Sequence, residues 1–128
     1  MNIETITGNL SVADLSQLQS VLRNTRLGQY GAFILSHRTH GSSLWLHING
    51  DIAYLHYFDG RYRHPGFQSE NKTSSSADSI RFLLVGGSEA DAIEMPTYCL
   101  LPAVAAYRAA EEYFEIDRMP PNVCWTEL

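Results

Sequence analysis

The residues of this chain best able to do chemistry are its five histidines, at positions 37, 40, 47, 56 and 64. His37-x-x-His40 on a helix would put two imidazoles on one side, with His47, His56 or His64 as a further metal ligand. Here the stretch from His37 to Ser42 contains Gly41 and reads as a polar turn, while His47 and His56 alternate with aromatic residues along strands. No carboxylate recurs beside them as the outer partner that orients a metal-bound imidazole. Solvated or hydrogen-bonded histidines are therefore the favoured reading, and no metal or other cofactor is expected. Nucleophiles fare no better. There is no Gly-x-Ser-x-Gly elbow. Cys99 and Cys124 are far apart, in apolar surroundings, and read as buried free thiols of a reducing, cytoplasmic compartment. Gly86-Gly87-Ser88 looks like part of a phosphate loop, but Glu89 and Asp91 follow and would repel a phosphate. Glu111 and Glu112 are adjacent on a helix, do not face each other, and read as a solvated face. No catalytic residue, and so no enzyme, is expected.

Binding surfaces are the next possibility. Trp45, Tyr54, His56 and Phe58 form an aromatic set that is either covered core or an exposed recognition surface. Burial is favoured, because large aromatics supply core area in a small domain. Arg61-Tyr62-Arg63-His64 beside that set could stack on nucleic acid, but two arginines in a chain of net charge −5 make no convincing groove for a phosphate backbone. The charge is also uneven. Residues 88–128 hold eight acidic and two basic side chains, a net −6, while residues 1–87 carry +1. Such a flank suits a basic partner.

The elements that must position these residues follow from periodicity. With 128 residues the chain is expected to form one domain, 1–128, with a sizeable core. No apolar run approaches the roughly 20 residues of a membrane-spanning helix, and no basic-then-apolar start marks a signal peptide, so no membrane association is expected. Ile3 and Ile6 give a weak strand signal, broken at Gly8-Asn9. Ser11-x-x-Asp14 resembles a capping box opening a helix over 12–26, with Leu15, Leu18 and Leu22 on one side and Gly28 as its stop. Residues 30–36, 44–49 and 52–58 read as strands, the last two joined through Asn49-Gly50-Asp51 as a tight hairpin. Its alternation puts Leu44, Leu46, Ile48, Ala53, Leu55 and Tyr57 on the core face and Trp45, His47, Tyr54, His56 and Phe58 on the other. Pro65 to Ser69 reads as an edge strand, Ile80 to Val85 as an apolar strand, and Glu89 to Met95 as an acidic edge strand or irregular arm. Pro102 is expected at the first position of a helix whose buried face is Ala103, Ala106, Tyr107, Ala110 and Phe114. Val123 to Leu128 closes the chain as a strand. The fold class is α+β: a mostly antiparallel sheet, a meander with an Asn-Gly hairpin, packed with two main helices.

Beyond this reading, the chain resembles immunity protein family 1 of bacterial polymorphic toxin systems. The likeness lies in Pro102 opening an alanine-rich helix with Glu-Glu-Tyr-Phe, then Met119-Pro120-Pro121-Asn122-Val123-Cys124-Trp125-Thr126-Glu127-Leu128 with its closing Trp-x-Glu, and in the hairpin Tyr54-Leu55-His56-Tyr57. The resemblance implies a non-catalytic protein that neutralises a co-produced toxin, often a nucleic-acid (cytosine) deaminase, by obstructing its basic substrate-binding surface or active site. It implies no direct contact with nucleic acid. Under it, Glu89, Asp91 and Glu94 take the electrostatic role, with Glu111 and Glu112 secondary. Tyr54, Tyr57 and Tyr62 are candidate anchors, and Trp125 is a packing residue. Two other readings stand beside it: a small metal-dependent enzyme using the histidine-rich meander, and a generic acidic protein-interaction domain.

Overall fold

The computed structural model describes residues 1–37, 41–60, 65–71, 78–86 and 91–128. The chain opens with a hairpin. β1 (Asn2–Thr5) and β2 (Gly8–Ser11) pair antiparallel across the two-residue turn Ile6-Thr7. Gly8-Asn9, expected to break the strand, instead begins its partner. Gly8 takes φ +147°, and the Thr5 hydroxyl donates to its carbonyl at 2.8 Å. Because Ser11 belongs to β2, it cannot cap the helix. α1 (Leu15–Asn24) therefore starts three residues later than Ser11 would set it. Asp14 is the N-cap: its carboxylate accepts from the Gln17 amide at 2.9 Å, and the Gln17 side chain accepts from the Ala13 amide at 2.7 Å.

β3 (Tyr30–Ser36), β4 (Ser43–Asn49) and β5 (Ile52–Phe58) form the expected meander. Asn49 pairs with Ile52, so Gly50-Asp51 is the turn. Gly50 has φ +59° and Asp51 does not have positive φ, the pattern of a type II′ turn with glycine at its first central position. β6 (Phe67–Ser69) pairs with both β5 and the terminal β10 (Trp125–Glu127), so it lies inside the sheet rather than at its edge. Pro65 is tolerated because it precedes the strand. The sheet order is β10-β6-β5-β4-β3-β1-β2, with the short β9 (Leu101–Pro102) also on β5. Pro102 pairs with Ile52 and is the N-cap of α2 (Ala103–Ile116), one residue earlier than the first helical position.

Both helices cover one face of this sheet, as the α+β reading expected. Ile3, Phe33, Leu35, Leu44, Leu46, Ile48 and Leu55 are fully buried there against Leu18 and Leu22 of α1. Ala106, Ala109 and Ala110 bring α2 close to the strands, since a methyl group keeps the backbones near each other. The helix is rotated slightly from its expected orientation. Tyr113, not Phe114, is the buried aromatic; its hydroxyl donates to the Ser42 carbonyl at 3.0 Å and lies 2.8 Å from the Ser42 hydroxyl. Burial pushes that phenol up to about 12. α2 ends on Asp117 in the left-handed conformation, φ 51°, which aspartate tolerates better than most residues. His37 donates to the Tyr113 carbonyl at 3.0 Å and so satisfies the end of this helix.

Among the described residues neither α-helix lies on the opposite, outer face of the sheet. A separate two-stranded arm, β7 (Ser79–Phe82) with β8 (Ile93–Pro96), packs on one end of it. β7 is shorter than the Ile80 to Val85 strand expected. No helix among the described residues is long and apolar enough to cross a membrane.

Candidate functional site

The strand register sets out the outer face row by row. Glu4, Ile34, Trp45, His56, Gln68 and Thr126 are neighbours across six strands. The next row places Asn2, Ser36, Ser43 and Phe58 side by side. Strands are about 4.8 Å apart, so the Glu4 backbone lies about 10 Å from that of Trp45. Trp45, His56 and Phe58 are half-buried and form one platform. Their ring centroids are 5.2 Å apart for Trp45–Phe58 and 4.3 Å for His56–Phe58, the latter pair stacked at 26°. The Trp45 indole donates to the Ser43 hydroxyl at 3.0 Å. His56 Nε2 donates to the Pro65 carbonyl at 3.1 Å, which fixes its tautomer. Burial lowers the His56 pKa, with that carbonyl bond acting in the opposite sense, so the ring is neutral at pH 7.

Gly66 makes the platform possible. A Cβ there would lie 2.6 Å from the Tyr57 carbonyl, 3.0 Å from the Phe58 ring and 3.2 Å from His56 Nε2, and its φ is +92°. Only glycine lets the chain pass this close to both rings.

The other half of the aromatic set is covered. His47 stacks on Tyr54 at 4.3 Å and 5°, and Phe82 of the arm meets Tyr54 edge-on at 4.9 Å. Both ring nitrogens of His47 are buried without a hydrogen-bond partner among the described residues. Burial, then the charge of His56, lowers its pKa to about 3. Burial likewise raises the Tyr54 phenol. The aromatic face is thus not wholly core: the arm buries one end, and Trp45, His56 and Phe58 at the other are half-buried.

The sequence-predicted site residues do not converge. Tyr54 and Tyr57 are 4% and 5% exposed, which corrects their assignment as surface anchors. Tyr54 lies beneath the arm. Tyr57 faces the helices, 6.2 Å from Tyr113 and 6.3 Å from Trp125 between ring centroids. Their alternating neighbours made them look available; two layers of cover, one on each face, put both inside. Glu89 and Tyr62 lie outside the described residues. Glu94 is exposed on β8, directly opposite Arg81 of β7, a cross-strand pairing of unlike charges. Asp91 is exposed just before β8. Glu111 accepts from Gln19 of α1 at 3.0 Å, and Glu112 accepts from Asn122. These two glutamates tie the helix layer together on the side away from the arm. Trp125 packs on the core, with its indole donating to the Pro120 carbonyl at 2.9 Å, as expected of a packing residue.

The remaining chemistry is structural. His37 and His56 bond to backbone carbonyls, and His40 and His64 lie outside the described residues. Among the described residues no group of three histidine, cysteine, aspartate or glutamate side chains could hold a metal. Cys99 is buried but Cys124 is exposed, so only one of the two thiols is sheltered as expected; neither is in a disulfide. A pocket of about 480 Å³ lies between α1, the β4–β5 turn and the start of α2, lined by Arg23, Arg26, Asp51 and Tyr107 among others, with no histidine in its wall.

The half-buried aromatic platform and an arm with Asp91 and Glu94 exposed stand on a two-helix α+β scaffold. The family model Immunity protein Imm1 matches residues 12–127, and the chain belongs to that family. It is thus an immunity protein, and its partner is a cognate toxin. No curated protein matches the chain.

Proposed function

We propose that this immunity protein neutralises a nucleic-acid deaminase toxin, acting on cytosine, by covering the basic surface on which the toxin holds its substrate. The observation that carries this reading is the acidic arm. Residues 79–96 contain one arginine against three acids, a net −2, and Asp91 and Glu94 are exposed on it. A toxin that binds a phosphate backbone needs a positive surface. Carboxylates presented on the β7–β8 arm occupy that surface in place of phosphates, speed encounter and disfavour other partners. Glu111 and Glu112, held by helix-layer contacts, take no part in this role.

The test uses the cognate toxin domain. Purified toxin should convert cytosine to uracil in DNA, and one equivalent of this protein should abolish the conversion. Reversing Glu89, Asp91 and Glu94 to lysine should slow association at least tenfold at low salt and leave a much smaller difference at high salt, where exposed charges are screened. A toxin with no deaminase activity overturns the substrate assignment. Unchanged association rates for the triple variant overturn the role of the arm.

A further inference from the structure

The charge of the arm does not account for the open half of the outer face. Trp45, His56 and Phe58 present partly exposed rings on the face opposite α1 and α2. Nothing in the core requires this: Leu44, Leu46 and Leu55 already fill the inner layer. The surface has the anatomy of a protein interface. Its centre is aromatic and free of formal charge at pH 7; Glu4 lies in the same row as Trp45, two strands away, and Glu94 and Asp91 are exposed on the arm that packs on the other end of the face. The rings are also held in place before binding. The Ser43 hydroxyl fixes the indole, the Pro65 carbonyl fixes the imidazole, and Gly66 removes the side chain that would displace both His56 and Phe58. Pre-ordered rings lose little freedom on binding, which favours tight complexes.

We propose that this platform is the toxin-docking centre and that it imitates unstacked bases, as the carboxylates of the arm imitate phosphates. The proposal rests on the deaminase reading above and specifies how the toxin is engaged. Enzymes that act on a base take it out of the stack and hold it between aromatic or apolar walls, beside a positive track for the backbone. A neutral group of partly exposed aromatic rings, on the same sheet face as an arm that carries carboxylates, matches both parts of such a cleft. The occupant of the outer face is therefore the substrate cleft of the toxin, not the helix-bearing side of a second copy of this chain.

The two tryptophans provide the test. Trp45 lies on the platform, whereas Trp125 is on the inner face against Tyr57. With both labelled as 5-fluorotryptophan, addition of unlabelled toxin domain should shift the ¹⁹F resonance of Trp45 and leave that of Trp125 nearly unmoved. Phe58→Ala and Trp45→Ala, each checked for an intact unfolding transition, should raise the Kd at least 30-fold, the scale of an interface hot spot. Val104→Ser, at an exposed position on the helix side, should leave it unchanged. A short single-stranded DNA should compete with the wild-type protein for the toxin. A complex that forms with the Trp45 resonance unmoved, or that tolerates both alanine variants, overturns the platform while leaving toxin neutralisation standing. A complex that uses the platform but is indifferent to DNA overturns base imitation alone. Failure to form any complex overturns both this proposal and the reading beneath it.

Discussion

The free protein should lose stability as the pH falls below about 6.5, and His47 should be a principal cause. Its imidazole is 2% exposed, stacked on Tyr54 and, among the described residues, without a partner for either nitrogen. In the unfolded chain it takes up a proton near pH 6.5; in the fold, burial holds it neutral until about pH 3. Between those values the unfolded state binds more protons than the native state. The His47 contribution is therefore fully present above pH 6.5 and lost progressively as the pH falls towards 3, at up to about 1.4 kcal/mol per pH unit. His56, also lowered by burial, acts in the same direction. Urea unfolding at pH 7, 6 and 5 should show a decline in wild type that is clearly shallower in His47→Leu. At pH 7 the leucine variant should be the more stable, since it removes two buried polar atoms that have no partner. Parallel pH profiles for the two proteins would show that His47 gains a proton or a partner in the native state.

Gly66→Ala should cost about 3 kcal/mol, far more than an ordinary glycine substitution. Two effects combine. At φ +92° a side chain is strained, at about 1–3 kcal/mol. Its Cβ would also lie 2.6 Å from the Tyr57 carbonyl, a backbone atom that cannot turn aside, and forcing it in costs a further 1–3 kcal/mol or so. The damage should spread along β6 and β10, because the Leu128 amide donates to the Gly66 carbonyl at 2.9 Å. Gly28→Ala is the control: its φ is +62°, but nothing lies within 4 Å of the added methyl, so only the strain remains. Chemical unfolding of both variants separates strain from collision. Equal losses would mean that the Gly66 loop moves freely away from the rings.

Much of this fold was legible because it is written in period-two and period-3.6 patterns. The β4–β5 hairpin follows the alternation of its leucines against its aromatics, and α2 follows its alanines. The errors arose where tertiary contacts decided between local options. Ser11 had the chemistry of a cap, but pairing with Asn2 placed it in a strand and left the cap to Asp14. Pro65 suggested an edge, but the terminal β10 arrived from far along the chain to cover it. Phe114 and Tyr113 are adjacent, and a small rotation of the helix decided which was buried. The candidate site was legible only in part. Alternation alone grouped Trp45, His47, Tyr54, His56 and Phe58 on one face, but could not show that the arm would cover only His47 and Tyr54. Nor could a run of acids reveal that Glu94 faces Arg81, or that Glu111 and Glu112 would be engaged by Gln19 and Asn122.

Neutralisation of the toxin is tested most directly by co-expression. The cognate toxin domain is induced in cells with and without the protein, and survival is scored together with recovery of a one-to-one complex. Cells carrying this chain should survive and yield the complex, and cells without it should die. Equal killing in the two strains, with both proteins present and folded, would contradict the account.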